Sequence, residues 1–512
     1  MGRIGVVMLA AGKGTRMRSR LPKVTHSVGG RAMLEHVLRA AAEAVAAGER
    51  PAKDGAGDAE DHSPRFVVVV GHEREQVRAL VTWAPPSGAV EYVEQEPQLG
   101  TGDAAKYARA ALTGSEDAPD TILVLYGDTP LVRAETLRAL LEEHTQSGAT
   151  LTFLTGIADD PAGYGRVLRD TARRVRGIVE QKHATTEERA IREVNSGIYC
   201  FDAGWLWSRL DSLERHANGE YYLTDLVDVA VREGRPVSTA SAALEEAMGV
   251  NDRVQLAEAE RILRGRVLRE LMLSGVTVED PATTYVEAGV RVGQDTLLRP
   301  GTTLRGATVI GARCEIGPYS VIQDSEIGDE CQVYGSWLER AVMEPGSRVG
   351  PMSRLRPGAR LKRGAHVGNF GEVKNATVGE DVQMHHFSYV GDATVGASTN
   401  IGAGVITMNY DGVRKHHTEI GARAFVGSDT LLRAPVSIGD GASTGGGAVV
   451  TRDVPPGSLA VGMPARLIRR VRSTKAAAGD SAAHADAEKS GDEGVPSEHG
   501  TESGYSGSEE RE

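Results

Sequence analysis

The chain has 512 residues, more than one hydrophobic core usually serves, so at least two domains are expected. Its 62 glycines and 4% aromatic residues point to many tight turns around a core of Val, Ile and Leu. A net charge of −12 speaks against nucleic acid or an anionic membrane as the main partner, since both select a basic surface. Cys200, Cys314 and Cys331 are odd in number and lack CxxC spacing, which argues against a disulfide framework or a zinc site.

The N-terminus runs directly into an aliphatic segment, Gly5–Leu9, without the long apolar run of a signal peptide. Met1-Gly2 opens a myristoylation pattern, but Val6 stands where Ser or Thr is required. No stretch approaches the roughly 20 apolar residues of a membrane span. A cytoplasmic location is expected. Val6–Leu9, Phe66–Val70 and Ile122–Tyr126 read as strands and Leu34–Ala47 as a helix. This alternation predicts a Rossmann-like α/β domain with a mostly parallel sheet over residues 1–251, binding ligands beyond the carboxyl ends of its strands. Residues 48–65 read as a surface loop.

After the first strand comes Leu9-Ala10-Ala11-Gly12-Lys13-Gly14-Thr15-Arg16-Met17, with Leu21-Pro22-Lys23 close behind. Small residues let backbone amides approach a phosphate chain, and Arg16 and Lys23 supply cations for a triphosphate. The segment is neither a Walker loop nor GxGxxG, and a structural turn is the plain alternative. Tyr126-Gly127-Asp128 ends another strand, where a carboxylate can hold Mg²⁺ against phosphate oxygens or, more plainly, cap a helix. Gly100-Thr101-Gly102 supplies a second small-residue loop.

Residues 252–275 change character: apolar residues recur at helical steps, Asp252 can cap the segment and Gly275 can end it, so a linker helix is expected. From 276 to 472 the period becomes six. Val349, Leu355, Leu361, Val367 and Val373 are evenly spaced, Val378, Met384 and Val390 follow a single five-residue step, and Val395, Ile401 and Thr407 continue. Further runs are Ile420, Val426, Leu432, Ile438, Thr444 and Val450, and Ile310, Ile316 and Ile322. Each hexad makes a short strand and a turn with one inward aliphatic residue. Such coils must stack to bury that face, which predicts a triangular parallel β-helix. Residues 473–512 carry almost no large apolar side chains and read as a disordered acidic tail.

Within the hexads, residues 356–428 hold polar groups that packing does not need. Stacking brings residues about 18 apart together, so Glu372, Tyr389 and Asn400 are expected on neighbouring coils. An amine attacking a thioester needs a base with a pKa near 7; His386 suits this, and a carboxylate such as Glu372 could orient its ring. A bland surface histidine is the alternative.

Taken in order, LAAGKGTRM, LPK, QLGTG, YGD, GYGR, GIVEQK, NSGIY, GVND, SRLRPGA, HVGNF, YVGDA, TNIGAG, NYDG and FVGSDT closely resemble the bacterial bifunctional N-acetylglucosamine-1-phosphate uridyltransferase/glucosamine-1-phosphate acetyltransferases over roughly residues 3–460. The resemblance implies a nucleotidyltransferase domain followed by a left-handed β-helix, acting on glucosamine-1-phosphate, N-acetylglucosamine-1-phosphate, UTP and acetyl-CoA. It places Leu9, Ala10, Ala11, Gly12, Lys23, Gln95, Gly100 and Thr101 at the uridine nucleotide, with Tyr126, Gly127 and Asp128 at the same site. Gly165, Glu180 and Asn195 would hold the sugar, and Asp128 and Asn251 would be Mg²⁺ ligands. In the second half it makes His386 the base, with Arg356 and Lys374 on the sugar phosphate. Tyr389, Asn400, Asn409 and Tyr410 would contact substrate or acetyl-CoA, and Ala403, Ser428 and Gly446 would line the acetyl-CoA site. The Ala403 amide could serve the oxyanion. The family also implies a homotrimer and a role in cell-wall precursor synthesis. Two departures stand out: His385 replaces a glycine common before the base, and Met463 stands where some relatives use an Arg near coenzyme A, with Arg466 close by. The competing reading is a monofunctional sugar-1-phosphate nucleotidyltransferase with a non-catalytic, oligomerising β-helix.

Overall fold

The computed structural model describes residues 2–46, 63–71, 73–86 and 89–470. Residues 48–62 of the expected loop, and the whole expected tail, lie outside the described residues.

The first half is built on a nine-stranded sheet. Its main path runs Val237–Ser241, Leu151–Ile157, Glu193–Asp202, Thr121–Tyr126, Ile4–Ala10, Arg65–Val70, Val90–Glu94. The last four of these strands are parallel, and Glu193–Asp202 runs antiparallel between Thr121–Tyr126 and Leu151–Ile157. Strand Ile4–Ala10 is buried along its whole length, as a central strand covered on both faces should be. Met33–Ala46 and Ala134–Ser147 pack on one face with Leu34, Val37, Leu38, Leu137 and Leu141 in a common core. Thr101–Leu112 and Asp225–Arg232 cover the other.

Arg253–Leu273 is a helix within the span expected to link the two halves. Asp252 caps it, its carboxylate accepting from the amides of Val254 and Gln255 at 3.0 and 2.9 Å. Few of its residues are buried, which fits a helix lying along a surface rather than through a core.

From Thr277 onward, short strands stack into sheets of 12, 10 and 9 strands, parallel except for the last, Ala465–Arg470, which runs antiparallel to Ser458–Gly462, consistent with the left-handed β-helix. Leu297 pairs with Glu315 and Arg348 with His366, each eighteen residues on, so three hexads make one coil. Every hexad residue named above, from Ile310 to Val450, is at most 2% exposed. Small hydroxyl and thiol side chains form a second inner ladder: Thr296 Oγ1 donates to the Gly311 carbonyl at 2.8 Å and accepts from the Cys314 amide at 3.0 Å. Cys314 Sγ repeats the motif towards the Gly328 carbonyl. Several coils are one or two residues shorter, and one carries a large insertion. Asn400 pairs with Phe425, and the extra residues protrude as a hairpin around 409–417, closed by a bridge between Tyr410 and Lys415.

Candidate functional site

Two clusters of predicted residues assemble, one in each half. In the first, four parallel strands end together. Leu9 pairs with Tyr126 and Ala10 with Val70, the Gly127 amide donates to the Leu9 carbonyl at 3.0 Å, and the Gln95 amide donates to the Val70 carbonyl at 2.8 Å. Ala10, Ala11, Gly12, Gln95, Tyr126, Gly127 and Asp128 therefore share one sheet edge. Gln95 is buried; its amide nitrogen donates to Asp103 at 2.7 Å and to the Gly100 carbonyl at 3.2 Å. Gly100 has φ +98°, and a Cβ there would lie 2.6 Å from the Tyr221 carbonyl oxygen, so only glycine fits. Burial pushes the Tyr126 phenol up in spite of its hydrogen bond with Thr101.

Lys23 sits on a short turn whose ammonium bonds the Asp128 carboxylate and Asn251 Oδ1, the latter at 3.1 Å. The pair is well shielded, with Lys23 and Asp128 side chains 11% and 18% exposed. Val250 donates to the Asp128 carbonyl at 2.9 Å, and Gln255 holds the Asn251 amide at 2.7 Å; sequence reasoning missed both supports. Two oxygen donors thus converge on one cationic point. That donor set fits a hard divalent cation that takes its remaining ligands from phosphates and water. Among the described residues no group of three or more His, Cys, Asp and Glu could hold a metal by itself. Arg16 stands exposed on the turn Thr15–Met17 with no ion pair among the described residues, so the structure does not join it to Lys23.

The predicted sugar residues also meet. Asn195 is buried and its amide donates to the Gly165 carbonyl at 2.9 Å. A Cβ on Gly165 would come 2.9 Å from Ile178 and 3.4 Å from Glu180 Oε1, so glycine keeps the space in front of that carboxylate open. Burial first, and then the Asp225 carboxylate, push the Glu180 carboxyl up. Tyr199 fixes the Asn195 side chain, its hydroxyl accepting from Nδ2 at 2.6 Å.

In the solenoid, Glu372 pairs in register with Tyr389 on the next coil. Two expectations need correction. Glu372 accepts from Arg356 Nη1 at 2.8 Å, and no hydrogen bond joins it to His386 among the described residues. The guanidinium projects from the coil stacked directly beneath, whereas His386 lies on the loop leading into the strand Ser388–Gly391. Nor is Asn400 stacked on Tyr389: Tyr389 pairs with Ile406, and Asn400 belongs to the neighbouring sheet with Gln383 and Phe425. Eleven residues carry the chain around a corner rather than through a full coil.

His386 is exposed, edge-on to His385 at 6.5 Å between ring centroids. His385 instead packs on His366 at 4.6 Å and bonds Gln383 at 2.6 Å. The Phe387 carbonyl accepts from Gly404, that of Ala403 from Asp429, and that of Ser428 from Gly447. His386, Ala403, Ser428 and Gly446 consequently follow one corner up successive coils. Asn409 is buried, its amide bonding Asp392 and reaching Tyr389 at 3.4 Å. Tyr410 is exposed on the protruding hairpin. That hairpin also carries Lys415, which faces Lys374 and pulls its ammonium below the usual range. With Arg356 nearby, three cations gather on this face; Lys415 was missed, and the break in the six-residue period was its only signal. Met463 is 76% exposed on the turn between Ser458–Gly462 and Ala465–Arg470.

A family model described as a MobA-like NTP transferase domain matches residues 6–193. Proteins named "Bifunctional protein GlmU" align over almost the whole chain. That of Syntrophomonas wolfei is 45% identical over 461 residues, 90% of this chain and 97% of its own. That of Pelobacter propionicus is 46% identical, covering 93% of this chain and 100% of its own. That of Thermobifida fusca is 48% identical, covering 89% and 91% respectively. With such identity spanning both clusters, the chain belongs to the bifunctional GlmU family.

Proposed function

We propose that the chain makes UDP-N-acetylglucosamine in two steps at the two clusters. Residues 276–472 transfer acetyl from acetyl-CoA to glucosamine-1-phosphate. Residues 1–251 then transfer uridylyl from UTP to N-acetylglucosamine-1-phosphate and release pyrophosphate, with residues 252–275 as the connection. Two separate constellations support this, each with chemistry suited to its step, in a chain 45–48% identical to bifunctional relatives over some nine-tenths of its length.

In the uridylyl step the attacking phosphate oxygen is already anionic, so the site mainly suppresses repulsion between anions. Lys23 and Arg16 supply positive charge, and the loop from Leu9 to Gly12 offers amides to the nucleotide. Asp128 and Asn251 would hold Mg²⁺, which bound there would neutralise phosphate oxygens. Gln95, Gly100 and Thr101 position the nucleotide, and Gly165, Glu180 and Asn195 the sugar.

In the acetyl step His386 takes the proton of the attacking amine. Arg356 and Lys374, with Lys415, bind the sugar phosphate, and Glu372 holds the Arg356 fork. Tyr389, Asn400, Asn409 and Tyr410 contact the reactants. The Ala403 amide faces the thioester oxygen, and Ser428 and Gly446 line the coenzyme A path. The protein acts in the cytoplasm as a homotrimer. The test keeps the half-reactions apart: glucosamine-1-phosphate with acetyl-CoA should release free thiol, and N-acetylglucosamine-1-phosphate with UTP and Mg²⁺ should release pyrophosphate. Thiol silence with pyrophosphate release would leave a monofunctional nucleotidyltransferase.

A further inference from the structure

We propose that Asp392 is a positioning residue of the acetyl-transfer site, fixing the polarity of the Asn409 amide and limiting the positive field of Lys374 and Lys415. The inference rests on the acetyltransferase reading above. Asp392 is 8% exposed, in a left-handed backbone conformation (φ +48°) between the strands Ser388–Gly391 and Ala393–Val395. Its carboxylate is fully engaged: Oδ1 accepts from Asn375 Nδ2 at 2.6 Å and Oδ2 from Asn409 Nδ2. Its backbone is tied to both adjacent coils, donating to the Lys374 carbonyl at 3.0 Å and accepting from the Thr418 amide at 3.1 Å.

An ionised carboxylate only accepts hydrogen bonds. Asn409 must therefore turn its NH₂ inward, and its Oδ1 remains an acceptor for a ligand N–H, such as the amides of the coenzyme A arm. A neutral amide at 392 could not satisfy both asparagines in this way. Its single oxygen serves one, and its NH₂ forces the other to turn over.

The electrostatics point the same way. Burial alone would push the Asp392 carboxyl up, but the two amides and the Lys415 and Lys374 charges bring it below its usual range. By reciprocity, the carboxylate weakens the pull of those lysines on anions. Removing its charge should therefore have opposite effects on the two kinds of ligand: inorganic phosphate bound more tightly, acetyl-CoA more weakly.

The experiment is Asp392→Asn in the full chain, measuring acetyl-transfer KM and kcat, inhibition of acetyl transfer by inorganic phosphate, and uridylyl transfer as a control of folding. We expect the KM for acetyl-CoA to rise about tenfold, phosphate to inhibit at lower concentration, and pyrophosphate release to be unchanged. Unchanged KM, or weakening of both ligands together as a purely structural role would give, overturns the proposal. If Asp392→Asn does not accumulate as folded protein, Asp392→Glu keeps charge and acceptors but displaces them. It should raise the KM for acetyl-CoA with phosphate inhibition as in the unsubstituted enzyme, and loss of both overturns the proposal. Should the unsubstituted enzyme itself release no thiol, the acetyltransferase reading falls, and the proposal with it.

Discussion

Replacing Asp128 with Asn keeps the side-chain shape and removes its charge. Asp128 is the only carboxylate paired with Lys23 among the described residues, and both side chains are largely shielded from water. Unit charges about 4 Å apart interact by about 4 kcal/mol at an effective dielectric constant near 20. A dication would double this, and water entering in place of the lost charge would recover part. A net loss of about 4 kcal/mol corresponds to a fall on the order of 10³ in kcat/KM for uridylyl transfer. The assay is pyrophosphate release across a Mg²⁺ titration, with thiol release followed on the same preparation. The loss should shrink at high Mg²⁺, because the remaining ligands bind the ion weakly rather than not at all. Thiol release should stay within about twofold. A loss of less than about tenfold would refute the role given to this carboxylate; equal loss of both activities would mean the chain had unfolded.

Three further outcomes follow from the same geometry. His386→Ala should lower acetyl transfer by about 10²–10⁴-fold while pyrophosphate release persists, and His385→Gly should cost far less; thiol assays on both variants decide which imidazole is the base. Leu361→Ala opens a cavity in the β-helix, where Leu361 is fully buried. It should cost about 2–5 kcal/mol, read as a lower denaturation midpoint with uridylyl transfer intact under native conditions. Glu180 has its carboxyl raised by burial and by Asp225, so its contribution to stability is fully present below the unfolded carboxylate pKa and is lost as pH rises through the folded value. Glu180→Gln should therefore raise the melting temperature at neutral pH, lose that advantage below about pH 4, and raise the KM for the sugar phosphate. A variant less stable at neutral pH would contradict the burial penalty.

The β-helix was legible because its geometry imposes a strict period: every sixth residue must be small enough and apolar enough to fill the same inner corner. Even the five-residue step between Val373 and Val378 maps onto a 17-residue register, with His366 pairing with Gln383. The helix Arg253–Leu273 was legible from its cap, Asp252, and its stop, Gly275. The antiparallel strand Glu193–Asp202 was not, since strand direction leaves no mark on a run of alternating residues. It nevertheless carries Asn195, and its irregularity between Asn195 and Tyr199 brings those two side chains into contact.

At the sites, motifs in sequence order pointed to many of the residues that gather, Arg16 excepted, but not to which bond which. Glu372 and His386 are close in sequence, yet the coil below presents Arg356 to the carboxylate first. Asn400 was misplaced for a related reason: a triangular coil has three faces, and an eleven-residue step lands on a different one. Lys415 escaped notice because it lies on an insertion, where no period applies. Asp392 escaped because an Asp beside Gly in a turn is unremarkable until both of its oxygens are found occupied.

The most direct test of two coupled activities in one chain is a mass balance begun from glucosamine-1-phosphate, UTP and Mg²⁺, with acetyl-CoA withheld and then added. Pyrophosphate should stay low until acetyl-CoA is supplied, then rise in step with free thiol to a matching yield of the nucleotide sugar. Pyrophosphate formed at full rate before acetyl-CoA is added, or thiol released without any pyrophosphate following, would contradict it.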